Sequence, residues 1–466
     1  MNRPKKLCVL LGILAAACVA TFAVMHAEER REQIKNSGET ILALAGQEVQ
    51  FLSWDYENTS LAFHRDGTWL YDGDETFPVS EERINGLLEP FEDFAAAFVI
   101  EDAEDFGQYG LEDPICTIRL STAEEAYEVK LGDYSKMDAQ RYVSIGDGNV
   151  YLMKHDPLEE FDAVLSDMIA HDEIPSFNHV TAIRFSGAEA SSSITYAENS
   201  ADTYSADDVY FVRRNGRNLP LDTSKVESYL RSVSYLGLSD YVTYHATEEE
   251  LRSCGLDAPE RTVTVEYTEE EDGAETAKTF VLHVSPDPEE VGAAEAAAGE
   301  NGETEISAYV RVGESPIVYR ISSGDYERLA AASYDDLRHS EVLWADFADI
   351  ERIDVTLEGE CCTLTSEEDG GGRVWFYQDA EIETDDLRNA LEALTAVEFT
   401  AGRPVQKEEI RLTVHLDNEN FPEVKIVLYR YDGERCLAEV DGESVSLVER
   451  AAVVSLIEAV HAIVLD

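Results

Sequence analysis

Few residues in this sequence have both the side-chain type and the spacing that catalysis or metal binding requires. The run from Asp72 to Glu75, Asp-Gly-Asp-Glu, offers carboxylates to a cation, but Thr76 and Pro78 follow where an EF-hand loop needs its next ligands. His245 and the acidic run from Glu248 to Glu250 form the densest imidazole and carboxylate group, in a polar helical stretch. We interpret the second group as a solvated helix face and expect no calcium in the first.

Motifs with a known catalytic mechanism are missing from the sequence. It holds no H-E-x-x-H, G-x-S-x-G, P-loop or dinucleotide-binding fingerprint. We therefore predict no catalytic residue, no cofactor and no metal ligand, and we interpret the chain as non-enzymatic. A hydrolase would need a cleft at a junction between structural units, where acid pairs distant in sequence meet.

Charge is the outlying property of the composition. Asp and Glu number 96 against 36 Lys and Arg, which gives a formal net charge of -60. Such a body repels phosphate backbones, so nucleic acid is excluded as a partner. The acidity is explained by solubility alone, or by binding of divalent cations or a cationic polymer. The one local basic cluster, Arg213, Arg214 and Arg217, could dock an acidic partner or protect a hairpin edge.

Cysteine spacing indicates no disulfide framework and no zinc site. Five cysteines lie beyond the N-terminal segment, without a C-x-x-C pair. A vicinal disulfide between Cys361 and Cys362 would be strained, and ordinary small side chains are the favoured interpretation.

The N-terminus has the pattern of an export segment. Arg3, Lys5 and Lys6 precede an uncharged apolar run from Leu7 to Val24, which is close to the minimum length for a membrane-spanning helix. The basic flank predicts a cytoplasmic N-terminus. We therefore predict a single-pass protein of the cell membrane, whose body is extracytoplasmic.

Two alternatives to this transmembrane helix remain open. A signal peptide could be cleaved after the small residues Ala15 to Ala17. Lipidation is possible at Cys18, which follows Leu14 and three alanines, although the apolar residues after Cys18 are unusual for a mature lipoprotein. All three interpretations export the body.

Three similar units follow the export segment. Each contains an amphipathic helix whose apolar residues recur at positions i, i+3, i+4 and i+7, which makes one stripe. The stripes are Ile84, Leu87, Leu88 and Phe91; Val226, Tyr229, Leu230 and Val233; and Leu387, Ala390, Leu391 and Leu394. Strand-like runs flank each helix, and a second helix closes each unit. The sequence therefore predicts a tandem repeat.

A short Gly-Leu-x-x-Pro motif follows the helix in the first two units. Its residues are Gly110, Leu111 and Pro114, then Gly255, Leu256 and Pro259. We interpret the motif as a turn, in which Gly supplies a left-handed cap, Leu enters the core and Pro starts an edge strand.

These patterns predict an α+β fold behind one N-terminal transmembrane helix. Each of three tandem repeats would form a mainly antiparallel sheet with two amphipathic helices. The predicted boundaries are 1–27 for the cytoplasmic tip and anchor, 28–46 for a stalk, and 47–177, 178–345 and 346–466 for the units. A disordered insertion is expected at about 286–305, and the third unit is divergent.

A Tyr-Val-x-x-Gly hairpin follows at Tyr142 to Gly146 and again at Tyr309 to Gly313. The Gly-Leu-x-x-Pro motif, the helix before it and this hairpin after it resemble a bacterial family, domain of unknown function 4340. The resemblance covers roughly Trp69 to Tyr334. Members of that family often accompany ABC-type export systems similar to those of gliding motility. The resemblance thus implies an accessory role at the cell envelope and carries over no catalytic residue.

Together these observations favour a non-enzymatic extracytoplasmic scaffold or accessory protein of an ABC-type transport assembly. Its expected partners are the membrane and transporter subunits. The alternative is an extracytoplasmic binding module for divalent cations or a cell-envelope polymer.

Overall fold

A computed structural model describes residues 21, 38–44, 48–187, 191–271, 273–296, 305–370 and 372–465. Their architecture is three antiparallel sheets, each of nine strands among the described residues. The chain divides into two compact units, Met1–His171 and Asp172–Asp466. The first sheet lies in the first unit, and the other two lie in the second.

The first sheet has the strand order β1-β5-β9-β8-β7-β6-β2-β3-β4. Its strands are β1 (Thr40–Leu42), β2 (Val49–Tyr56), β3 (Thr59–Asp66), β4 (Thr68–Tyr71), β5 (Phe94–Ile100), β6 (Cys116–Thr122), β7 (Ala126–Ser135), β8 (Gln140–Ser144) and β9 (Val150–Met153). Its helices are α1 (Glu81–Leu88) and α2 (Leu158–Phe161), with 3-10 turns at Glu89–Phe91, Gly107–Tyr109 and Leu165–Met168.

The second sheet has the order β13-β12-β11-β10-β15-β16-β17-β18-β14. Its strands are β10 (His179–Gly187), β11 (Ser192–Tyr196), β12 (Tyr210–Arg214), β13 (Arg217–Pro220), β14 (Tyr241–Thr243), β15 (Arg261–Glu271), β16 (Ala274–Pro286), β17 (Ala308–Val312) and β18 (Val318–Ile321). Its helices are α3 (Thr223–Ser234), α4 (Glu248–Ser253), α5 (Pro288–Ala296), α6 (Ser323–Ala330) and α7 (Tyr334–Leu337).

The third sheet has the order β22-β21-β20-β19-β24-β25-β26-β27-β23. Its strands are β19 (Ile350–Leu357), β20 (Glu360–Asp369), β21 (Gly372–Tyr377), β22 (Ala380–Ile382), β23 (Ala396–Phe399), β24 (Glu408–Leu416), β25 (Glu423–Arg430), β26 (Arg435–Val440) and β27 (Glu443–Glu449). Its helices are α8 (Asp385–Glu392) and α9 (Arg450–Leu465), with a 3-10 turn at Phe347–Asp349.

One strand order recurs in all three sheets. The path β5-β9-β8-β7-β6-β2-β3-β4 of the first sheet corresponds strand by strand to β14 through β12 of the second and β23 through β21 of the third. The second and third sheets add one short edge strand, β13 or β22, whereas the first adds β1 beside β5. The predicted tandem repeat is therefore visible directly in the topology.

The predicted fold class is wrong in two respects. The chain is 43% strand and 22% helix, so it is mainly antiparallel β-structure and not α+β. Among the described residues no helix is long and apolar enough to cross a membrane, so the N-terminal transmembrane helix is not supported. The run from Leu7 to Val24 on which we placed it lies outside the described residues, Thr21 excepted.

The amphipathic helices cover the sheets with the stripes that the spacing predicts. None of the twelve stripe residues is more than 7% exposed. Burying one such Leu, Val or Phe side chain contributes about 1.5 to 3 kcal/mol, so each stripe attaches its helix firmly. The fold-class prediction was wrong because the helical periodicity of apolar residues does not indicate how many strands each helix covers.

Two predicted boundaries also need correction. The end of the predicted stalk, 28–46, contains β1, which pairs with β5 and so belongs to the first sheet. The predicted disordered insertion at 286–305 begins with a helix, α5. Glu290 in that helix accepts hydrogen bonds from the backbone N and Oγ of Ser307, at 2.6 and 2.9 Å, which tie the helix to the following strand. Residues 297–304 lie outside the described part.

The Gly-Leu-x-x-Pro motif forms a tight turn in both places. Gly110 and Gly255 have φ values of +69° and +71°, and Leu111 and Leu256 are 3% and 6% exposed. The strands that follow, β6 and β15, are central, so our expectation of edge strands is wrong. Each proline lies two residues before the first residue of its strand. Its missing backbone N–H therefore removes no hydrogen bond between neighbouring strands.

Replacing Gly110 with alanine should cost at least about 2 kcal/mol of the free energy of unfolding. The left-handed backbone alone costs an L-residue about 1 kcal/mol, and a Cβ there would lie 2.9 Å from the backbone N of Asp133. Gly255→Ala is the matched control, because its Cβ meets nothing closer than 3.4 Å. Urea unfolding of both variants measures the difference, and equal losses would contradict the steric argument.

Candidate functional site: a cleft between the second and third sheets

The acidic run singled out in the sequence does not gather ligands. Asp72 Oδ1 lies 2.6 Å from His64 Nδ1, and this hydrogen bond raises the pKa of the His64 imidazole. Asp74 Oδ1 accepts from the backbone N and Oγ1 of Thr76 at 2.9 and 2.7 Å. Both carboxylates therefore serve local turns.

The group around His245 is also local. His245 is exposed, and Glu250 accepts from the backbone and hydroxyl of Thr247, both at 2.8 Å, in a capping box that begins α4. These hydrogen bonds lower the pKa of Glu250. The helix cap explains why acids cluster there.

Two arginines of the basic cluster, Arg214 and Arg217, line a cleft, whereas Arg213 does not. Asn215 and Gly216, with φ values of +50° and +80°, form the turn between β12 and β13, a pattern typical of a tight hairpin. Arg214 and Arg217 are directly opposite each other in that hairpin, so both side chains leave on the same face. Like charges in this position repel, and an anion bound between them would remove the repulsion.

Aromatic rings hold two arginines of the cleft in place. Two guanidinium groups lie against the ring of Tyr334, with Arg214 Cζ at 4.6 Å and Arg338 Cζ at 4.8 Å from its centroid. Arg338 Cζ is also 4.3 Å from the ring centroid of Phe399. Such stacking fixes the planar guanidinium while leaving its N–H groups available to carboxylates or phosphates. We call Arg214, Arg217 and Arg338, with these two rings, the arginine cleft.

The cleft has a volume of about 510 Å³ and ends at the turn between β26 and β27. Glu443, the first residue of β27, lies 3.8 Å from Arg217, and the two side chains are 79% and 76% exposed. An ion pair so exposed contributes little, so Arg217 is readily available to another anion.

The floor of the arginine cleft is a buried polar group. Asp208, which is 2% exposed, accepts from Trp344 Nε1 at 3.1 Å and from Thr203 Oγ1 at 2.5 Å. His339 Nε2 lies 2.8 Å from the same carboxylate. Since an ionised carboxylate only accepts hydrogen bonds, Nε2 carries the proton. The His339 ring is parallel to the indole of Trp344 at 4.6 Å, and Tyr204 stacks on that indole at 4.6 Å.

Three potential metal ligands meet beside this floor. Ligand atoms of Asp222, His339 and Glu341 lie within 4.8 Å of one another, and no other group of three such residues is found among the described residues. His339 Nδ1 and Glu341 Oε2 are 4.0 Å apart, too far for a hydrogen bond. Glu341 Oε2 is buried and has no hydrogen-bond partner. We call these three residues the ligand triad.

Two overlapping segments of the chain, residues 69–259 and 212–413, match the family model described as Domain of unknown function (DUF4340). The chain belongs to the DUF4340 family. The two DUF4340 segments begin in β4 and β12, which are equivalent strands of the first two repeats, so the family domain recurs with the repeat. No curated protein and no solved structure matches the chain.

The second DUF4340 segment contains both groups of interest. The arginine cleft and the ligand triad lie within 212–413, whereas the β26–β27 turn that closes the cleft lies beyond it. Asp208 precedes the segment by a few residues. Sequence reasoning found the arginines of the hairpin but missed the triad, because Asp222 lies more than a hundred positions before His339 and Glu341. The local signal was His339-x-Glu341, which alone is too short to be informative.

The remaining predicted site residues are simple to place. Cys18 lies outside the described residues. The five cysteines of the body are all free thiols, so Cys361 and Cys362 form no vicinal disulfide. Cys361 is exposed while Cys362 is half-buried, since neighbours on a strand face opposite sides.

Proposed function

We propose that this DUF4340 protein is a non-enzymatic, extracytoplasmic accessory protein of an ABC-type transport assembly, and that the arginine cleft docks an acidic segment of that assembly. The family resemblance supplies the class of partner, and the basic and apolar N-terminal run supplies the export signal. The docking site is inferred mainly from one observation: three arginines line a single cleft in a chain whose net charge is -60.

Three arginines line the cleft beside three carboxylates, Glu341, Asp441 and Glu443, and the arginines that remain free to bind an anion favour an acidic occupant. Arg214 has no ion-pair partner among the described residues and stacks on Tyr334 instead, and the ion pair of Arg217 with Glu443 is largely exposed. Arginine beside aromatic rings is also the composition of energetic centres in protein interfaces. A carboxylate-rich segment therefore gains charge-assisted hydrogen bonds here, while the acidic surroundings repel it elsewhere.

A capture experiment tests this proposal. The tagged full-length chain, purified gently from membranes, should bring down a permease or ATPase subunit identified by mass spectrometry. The double variant Arg214→Glu with Arg217→Glu should recover at least about tenfold less of it, because each interface arginine contributes 1 kcal/mol or more.

The neighbouring residue provides the matched control. Arg213 is exposed on the same strand but does not line the cleft, so Arg213→Glu reverses the same kind of charge at a neighbouring position and should leave capture unchanged. A chain that purifies alone would contradict the accessory role. Equal capture by the double variant would show that the partner binds elsewhere.

A further inference from the structure

We propose that Asp222, His339 and Glu341 bind one divalent transition-metal ion at the base of the arginine cleft. The inference goes beyond the docking role, since it rests on a different set of side chains. One imidazole and two carboxylates are ligands that Zn²⁺ accepts, and their charges balance when the imidazole is neutral.

The histidine is oriented as a ligand would be. Its Nε2–H donates to Asp208, a carboxylate that is 2% exposed, and this leaves Nδ1 with a free lone pair facing Glu341. Metal-binding histidines almost always donate their other ring N–H to a carboxylate or carbonyl in this way, which fixes the tautomer and raises the basicity of the ligand nitrogen. The parallel Trp344 ring further holds the imidazole in place.

The two carboxylates also have atoms to offer. Glu341 Oε2 is buried without a hydrogen-bond partner, which costs free energy that an ion would restore. Asp222 uses Oδ1 to cap helix α3, accepting from the backbone N of Ser224 at 2.9 Å and of Lys225 at 3.3 Å. A carboxylate can cap a helix through one oxygen and bind a metal through the other.

The spacing requires a small contraction on binding. Ligand atoms about 2.1 Å from one Zn²⁺ ion lie roughly 3.4 Å apart in a tetrahedral arrangement, whereas the triad atoms are separated by up to 4.8 Å. We expect rotation about the side-chain torsions of Glu341 and Asp222 to close this gap. With three protein ligands, a tetrahedral ion keeps one position open. His339 and Glu341 themselves line the cleft beside the arginines.

Titration of the full-length, EDTA-treated chain with Zn²⁺ tests the proposal. Calorimetry at physiological salt with excess Mg²⁺, which occupies the acidic surface, should show one tight ion per chain. Glu341→Gln and Asp222→Asn should each weaken that site about 100-fold or more, and Asp208→Asn about 10- to 100-fold. Asparagine caps a helix as well as aspartate does, so Asp222→Asn should leave the fold intact.

A control and a spectroscopic reading make the result decisive. Asp354 pairs with His415 at 2.9 Å elsewhere in the same compact unit, so Asp354→Asn should leave the Zn²⁺ affinity unchanged. Co²⁺ at the triad should give the intense visible absorption of a four-coordinate ion, and Glu341→Gln should abolish it. A wild-type chain without a tight Zn²⁺ site, or variants that bind as the wild type does, would overturn the proposal.

Discussion

Replacing Asp156 with alanine should lower the free energy of unfolding of the first compact unit by about 3 to 5 kcal/mol. Asp156 forms a two-pronged ion pair with Arg141: Nε donates to Oδ1 at 2.5 Å and Nη2 to Oδ2 at 2.6 Å. The two side chains are only 9% and 13% exposed. Arginine cannot lose its proton, so the variant leaves a largely buried charge without its carboxylate partner.

Two further contacts of this pair are local to the same sheet. Arg141 Nη1 donates to the backbone oxygen of Gly132 at 2.9 Å, and Asp156 Oδ1 accepts from the backbone N of Leu158 at the start of α2. Arg141 is on β8 and Gly132 is on β7, so loss of the carboxylate loosens two strands and a helix start together. Urea unfolding of the full chain measures the total loss, and amide hydrogen exchange in β7 to β9 locates it.

A pair of equal length but different burial provides the control. Arg119 Nη1 donates to Asp55 Oδ2 at 2.5 Å in the same sheet, but these side chains are 44% and 48% exposed. Asp55→Ala should therefore cost no more than about 1 kcal/mol. The double variant Arg141→Met with Asp156→Leu should recover most of the stability, because it removes both buried charges. Equal losses for Asp156→Ala and Asp55→Ala would show that burial is not the cause.

Replacing Asp208 with alanine should cost the second compact unit about 3 to 5 kcal/mol. The variant deprives Trp344 Nε1–H and His339 Nε2–H of their acceptor, and each unpaired buried donor costs about 1 to 3 kcal/mol. A cavity adds to this loss. Asp207 is the control, since it is exposed in the same loop and Asp207→Ala should stay within about 0.5 kcal/mol of the wild type.

Tryptophan fluorescence measures how the Asp208→Ala substitution affects the buried group around Trp344. In folded Asp208→Ala, the emission maximum of Trp344 should shift to longer wavelength, because the indole loses a buried hydrogen bond and becomes hydrated. In Asp207→Ala the emission should not change. An Asp208→Ala chain with wild-type stability and unchanged emission would show that the buried network does not support the cleft.

The contrast between the two groups at the cleft shows what local sequence can reveal. The arginines at 214 and 217 flank an Asn-Gly turn, so their position on one hairpin face follows from spacing alone. The ligand triad combines a helix cap at Asp222 with residues more than a hundred positions later, and each member looks ordinary in its own segment. Whether such residues meet is decided by how the second and third sheets pack.

The sequence by itself determined the features that depend on neighbours a few positions apart. The helix stripes at 84–91, 226–233 and 387–394, the turns at Gly110 and Gly255, and the repeat all follow from periodicity and backbone sterics. Only the tertiary structure decided that the described part of each repeat forms a nine-stranded sheet, that β6 and β15 are central, and that Asp208, Asp222 and His339 converge. Strand order and buried charge networks are set by contacts between distant segments, and a short-range pattern does not encode them.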